Sequence, residues 1–177
     1  MNRPRQTAFT LVELLVVIGI IAILLALVLP AYQRIKAGGQ AAACLGNLRQ
    51  VGAGLNGYLS DNNFTMPTLQ LARSSVNDNV PVIDNTLNKY LTDPRCFSCP
   101  SDNQQLGVTT GTSYFWNVAL NGQALANLNF LSLTTNSSQI PILSDKVGWH
   151  LYLDNKVNIL YADGHVTKDL QFVTQSK

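Results

Sequence analysis

Residues 9–29, FTLVELLVVIGIIAILLALVL, form an apolar run interrupted by one charge, Glu13, the only glutamate in the chain. Sixteen consecutive residues from Leu14 to Leu29 carry no polar side chain at all. The length suits a membrane-spanning helix, which needs roughly twenty apolar residues. A carboxylate inside such a helix costs up to ~3 kcal/mol at mid-membrane and somewhat less toward an end. Any account of this chain must therefore say what Glu13 is for.

Three readings of the amino end compete. A cleavable secretory signal would share the basic start and apolar middle, but it should end in a small-x-small site, and Leu29-Pro30-Ala31 is a poor one. An ordinary signal anchor explains the length and leaves the charge without a use. The third reading gives Glu13 a partner. Cleavage between Ala8 and Phe9 would free the α-amine of Phe9, a cation near neutral pH. It would lie one helical turn from Glu13, and helices packed side by side could then pair the amine of one with the carboxylate of the next. Such pairing would offset the desolvation of both groups and set the axial register.

Beyond Pro30 the pattern becomes amphipathic. Ile35, Leu45, Leu48, Val51, Leu55 and Leu59 recur at spacings of three and four, which predicts a helix from Phe9 to about Leu59 with one buried face in its second half. Pro30 should interrupt or kink it, with Gly38 and Gly39 nearby. From Asp61 onward, turn-rich stretches alternate with short strand signals: residues 113–120, 140–143 and 157–161. Asp163-Gly164 between NILYA and HVTKDL predicts a tight hairpin with a type I′ turn. The expected fold is α+β, a long amino-terminal helix packed on a small antiparallel sheet. The organisation is a leader over 1–8, a membrane and assembly segment over 9–30, an amphipathic half-helix over 31–60 and a globular head over 61–177.

Twelve basic and ten acidic residues give a net charge of +2 and are scattered singly, so no basic stripe for nucleic acid exists. Three cysteines allow one bridge outside the cytoplasm and leave one thiol over.

The string Ala8-Phe9-Thr10-Leu11-Val12-Glu13, followed by the apolar half-helix and Pro30, resembles the amino end of the type IV pilin and type II secretion pseudopilin superfamily. The resemblance implies cleavage after Ala8 by a membrane-embedded prepilin peptidase, methylation of the Phe9 amine, and Glu13 as the acid that pairs in trans when subunits bundle. The superfamily usually has Gly before the cut, where this chain has Ala8. It also implies a single-pass inner-membrane precursor with a periplasmic head, an inner-membrane assembly platform as partner, and a final place in a pseudopilus or surface pilus. The segments CLGNLRQVGAGLNGYLSDNN, CPSD, TSYFWN and NILYADGHV further resemble pilin-like proteins that end in an Asp-Gly-His-Val hairpin. Those proteins often carry a His upstream of the Asp-Gly, and His150 precedes Asp163 by a wider gap than theirs. Cys44 and Cys99 match cysteines of that group, which implies a bridge from helix to loop.

Other motifs admit several chemistries. Cys96-Phe97-Ser98-Cys99 has the spacing of a redox pair or half a zinc site, without a second pair to complete the latter. His165 beside Asp163 invites a metal or base role, although the turn already accounts for Asp163 and Gly164. Asp145, Asp154 and Asp163 are candidate oxygen ligands for calcium, with no named loop pattern behind them. Tyr114 and Trp116 could form a binding strip, but their alternation is that of a strand packed on a helix. No nucleophile, base and oxyanion donors converge, so a non-enzymatic structural subunit is expected. The rivals are a membrane-tethered binding protein that never polymerises and an envelope enzyme using Cys96, Cys99 or His165.

Overall fold

The computed structural model describes residues 10–150 and 157–168. It divides the chain into two compact units, Met1–Lys36 and Ala37–Lys177. The dominant element is the helix α1, Leu11–Asp61, of 51 residues. It is continuous through Pro30, although the proline ring removes the N–H that would donate to the Ala26 carbonyl.

Both ends of α1 are built from local sequence. At the start, the Thr10 carbonyl takes the first helical N–H, from Leu14, at 3.2 Å. Thr10 and Glu13 cap one another: Glu13 Oε2 accepts from the Thr10 N–H at 2.9 Å and from its hydroxyl at 2.7 Å. Thr10 Oγ1 in turn accepts the Glu13 N–H at 3.3 Å. Thr10-Leu11-Val12-Glu13 is thus a capping box, the T-x-x-E arrangement that satisfies two otherwise orphaned donors. At the far end, Phe64 donates its N–H to the Leu59 carbonyl at 2.8 Å, with Asn63 in the left-handed region at φ 52°. That six-to-one bond with an Asn in the left-handed position is a Schellman stop.

In the second unit, Ala41, Cys44, Leu48, Val51, Gly54, Leu55 and Leu59 of α1 are buried. Their three-and-four spacing is that of the expected stripe. Of the residues anticipated there, Ile35 is exposed instead, and Leu45 is half-buried. The stripe packs into a core with Trp116, Leu120, Ile140, Leu143 and Leu160. Gly54 allows a close approach, because a Cβ there would stand 2.8 Å from Leu91 Cγ.

Among the described residues the sheet has four strands in the order β1 (Tyr114–Trp116), β2 (Pro141–Asp145), β3 (Ile159–Tyr161) and β4 (Val166–Thr167), every neighbouring pair antiparallel. Short helices α2 (Ile83–Leu87) and α3 (Leu106–Thr110) lie in the long connection before β1. The first strand is shorter than the alternation over 113–120 predicts. Asn117 ends it by accepting the Ala119 N–H at 3.1 Å and capping a 3₁₀ turn over Val118–Leu120.

The Asp163-Gly164 hairpin joins β3 to β4 with a different turn from the one expected. Gly164 has φ +88°, but Asp163 does not have positive φ, so the turn is not type I′. Instead Gly164 donates to the Tyr161 carbonyl at 2.9 Å, and Tyr161 donates to the His165 carbonyl at 2.9 Å. The loop therefore has three residues, 162–164, and follows the pattern of a type I turn ending in a left-handed glycine.

Candidate functional site

In the first unit every side chain from Thr10 to Lys36 is exposed. An 18-residue window of α1 reaches a mean hydropathy of 3.2, none of it buried. A contiguous apolar surface of this kind is far beyond what water-soluble monomers expose, so it marks a segment made for lipid or for other helices. Glu13 sits in the first turn of this surface, its carboxylate held by Thr10. The glutamate stays near the helix start, where the macrodipole also favours negative charge. Ala8 and Phe9, the expected processing pair, lie outside the described residues. Pro30 lies within the same exposed apolar surface.

The second unit holds a cross-linked polar corner. Cys44 and Cys99 form a disulfide with an S–S distance of 1.96 Å and a Cα–Cα distance of 4.9 Å. Three residues on one face of α1, at positions i, i+4 and i+7, meet the same loop. Gln40 Nε2 donates to the Pro100 carbonyl at 3.1 Å, Cys44 is bonded to Cys99, and Asn47 Nδ2 donates to the Ser98 carbonyl at 2.8 Å. The loop is fixed from its other side by Ser113, whose hydroxyl accepts the Cys99 N–H at 3.1 Å and donates to Asp102 Oδ2 at 2.7 Å. Asp102 also accepts the Gly107 N–H at 2.7 Å. Cys96, the leftover thiol, is buried and unbridged. Burial, aided by the negative charge of Asp93, pushes its thiol up to about 11. It is therefore inert at neutral pH, as structural buried cysteines are.

Beside the bridge lies a buried trio that sequence reasoning missed. Asp145 Oδ2 accepts the Asn158 N–H at 2.7 Å and its side-chain amide at 3.0 Å, and meets His150 Nε2 at 3.1 Å. The side chains of Asp145 and His150 are both fully buried. Tyr114 faces Asp145 across the β1–β2 pair, and burial, with the Asp145 charge behind it, raises its phenol well above the ordinary range. The only sequence signal for the trio is the isolated His150 between strands, and a His at wide spacing from Asp163 does not announce a buried partner.

Of the calcium candidates, Asp145 and Asp163 lie at opposite ends of the β2–β3 hairpin. Asp145 ends β2 next to Asn158, whereas Asp163 follows Tyr161, the partner of Pro141 at the other end of the same hairpin. Asp163 is engaged within its turn, accepting the N–H of His165 at 3.1 Å and meeting the His165 ring. Burial pushes its carboxyl up, but those bonds prevail and hold it below the usual carboxylate range. Asp154 lies outside the described residues. His165 stacks flat on Tyr161 with ring centroids 4.5 Å apart. Tyr114 and Trp116 are core residues: Trp116 Nε1 donates to Asn121 Oδ1 at 2.7 Å, and Asn121 bridges on to Leu69. A partly buried ion pair, Arg73 with Asp84, ties the segment before α2 to it. Burial raises the Asp84 carboxyl despite the opposing pull of Arg73.

Residues 3–29 match the family described as the prokaryotic N-terminal methylation motif. No curated protein and no solved structure is similar to the chain. The motif identifies a prepilin-like chain processed by prepilin peptidase, and the apolar helix that bears it suits membrane anchoring. With its long amino-terminal helix and small antiparallel sheet, the chain fits the type IV pilin-like group.

Proposed function

We propose that this chain is a structural subunit, a pilin or pseudopilin, of a type IV pilus or type II secretion pseudopilus. It polymerises through the helix over 9–30 after cleavage at Ala8 and methylation of Phe9, and it catalyses no reaction. The observation that carries this reading is the pairing of a fully exposed apolar helix with a single acid in its first turn, within the methylation motif. Lipid covers such a surface in the precursor, and neighbouring helices cover it in the polymer, where close packing and interhelical contacts supply the cohesion. Glu13 then needs a cation, and the amine of a neighbouring Phe9 provides one in a low-dielectric setting where an unpaired charge would be costly.

The capping box makes a clean test available. Glu13→Gln keeps a side chain able to complete the box with Thr10 and removes only the charge. In a cell with the assembly machine, Glu13→Gln should lower sheared-filament yield at least tenfold, read by electron microscopy and by peptide sequencing of the filament, with precursor level and head folding unchanged. Wild-type filament yield from this variant would refute the pairing. An absence of filaments built from the wild-type chain would favour a tethered, non-polymerising role for the head.

A further inference from the structure

The buried corner beside the disulfide carries a second chemistry. Cys44 Sγ, Cys99 Sγ and a ring nitrogen of His150 lie within 4.8 Å of one another, all three residues buried. His150 Nε2 meets Asp145 Oδ2 at 3.1 Å and the Asn158 side-chain amide at 2.7 Å, whereas Nδ1 is buried and, among the described residues, has no hydrogen-bond partner. An imidazole nitrogen left bare in the interior costs about 1–3 kcal/mol, so a protein that keeps one has a use for it. A histidine braced at one nitrogen by a carboxylate and free at the other is the arrangement of a metal-ligating histidine, the carboxylate fixing the tautomer and the ring plane. Two thiolates and one imidazole are a donor set for zinc.

We infer that the dithiol form of this chain binds a zinc-type divalent cation through Cys44, Cys99 and His150, with Asp145 as the positioning residue behind His150. The disulfide and the metal are then alternative occupants of one place. Opening the bridge takes two electrons and two protons from a dithiol reductant, which itself becomes a disulfide. The S–S bond breaks and two thiols form. Binding of the dication expels both thiol protons and makes two metal–sulfur bonds and one metal–nitrogen bond. The charge of the ion is cancelled by the two thiolates, which limits the cost of burying it. A tetrahedral zinc places such ligand atoms roughly 3.5–3.8 Å apart, so the sulfurs must part by about 2 Å, while the histidine nitrogen already lies within 4.8 Å of both. Closing the bridge again, by thiol exchange with a disulfide oxidant, releases the ion.

The test uses the full chain in detergent micelles, reduced anaerobically with a phosphine that does not bind metal, and titrated with Co²⁺ and then Zn²⁺. One Co²⁺ per chain should bind, with sulfur-to-cobalt charge-transfer absorption sized for two thiolates and visible bands of tetrahedral intensity, and Zn²⁺ should displace it. The oxidised chain should show neither. Cys96→Ser should leave the spectrum unchanged, Cys44→Ser should abolish the two-thiolate band, and His150→Gln should weaken Co²⁺ binding at least tenfold and shift the visible bands. A reduced wild-type chain without the charge-transfer band would overturn the proposal. So would a band that persists in Cys44→Ser, one lost in Cys96→Ser, or an affinity indifferent to His150→Gln, which would betray thiols binding metal in an unfolded chain.

Discussion

Glu13 answers to two partners, and they act at different stages. Within one chain it closes a capping box with Thr10, a local interaction between exposed groups. In the polymer we propose, it faces a neighbouring amine. Sequence pattern exposed the oddity of the acid, because a lone charge in an apolar run needs no geometry to be noticed. The cap is written just as locally, as T-x-x-E over Thr10 to Glu13. Cys96 illustrates the opposite case: CxxC spacing suggests reactivity, and only burial shows that this thiol is silent. With the thiol raised to about 11, its thiolate fraction near pH 8 is about one in a thousand. The native chain should resist iodoacetamide at pH 8, react roughly a hundredfold faster once unfolded in urea, and gain about tenfold in native rate per pH unit up to pH 10. Peptide mass mapping of the alkylated cysteine checks this. Because the folded thiol holds its proton more tightly than the unfolded one, its contribution to stability is complete below about pH 9. It declines as pH rises toward about 11.

At the scale of elements, the helix was the most readable part and the hairpin turn the least. A 21-residue run broken only by Thr10 and Glu13, followed by a three-and-four stripe, leaves few options, and Asn63 supplies the stop. Asp-Gly, by contrast, is compatible with two turn types, and the choice depends on whether the third loop residue pairs, which depends on the register of β3 against β4. The first strand is shorter than its alternation implies, since Asn117 competes for the backbone at the point where alternation still reads as strand. The glycines of these elements give opposed predictions. Gly164, at φ +88° with open space around its Cβ position, should lose about 1–2 kcal/mol on Gly164→Ala from backbone strain alone. Gly46, helical and equally unobstructed, should gain about 0.5–1 kcal/mol on Gly46→Ala. Urea unfolding of the two variants should move the midpoint in opposite directions with the slope unchanged.

Across the whole molecule, the sequence separates into a part whose role is written in composition and a part whose role is written in three-dimensional neighbours. The amino-terminal unit needs only its hydropathy and one acid to be understood. The corner of Cys44, Cys99, Asp145, His150 and Asn158 draws residues from α1, a loop, β2 and the segments flanking residues 151–156, and no local pattern connects them. The bridge closes a loop with a sequence separation of 55. On chain-entropy grounds that restricts the unfolded state by about 4 kcal/mol. The double variant Cys44→Ala with Cys99→Ala should lower unfolding free energy by up to that amount, read as a fall in urea midpoint, while Cys96→Ala should cost only what a small buried side chain costs.

The position of that bridge also decides how the subunit would carry a mechanical load. A pull applied between the amino-terminal helix and the carboxyl-terminal strands passes from Cys44 directly to Cys99 through a covalent bond. Everything between them in sequence, the end of α1 from residue 45 onward and the connection through α2 to residue 98, is shunted off the line of force. Traction on a fibre of such subunits would reach the sheet without first unravelling the helix beneath it.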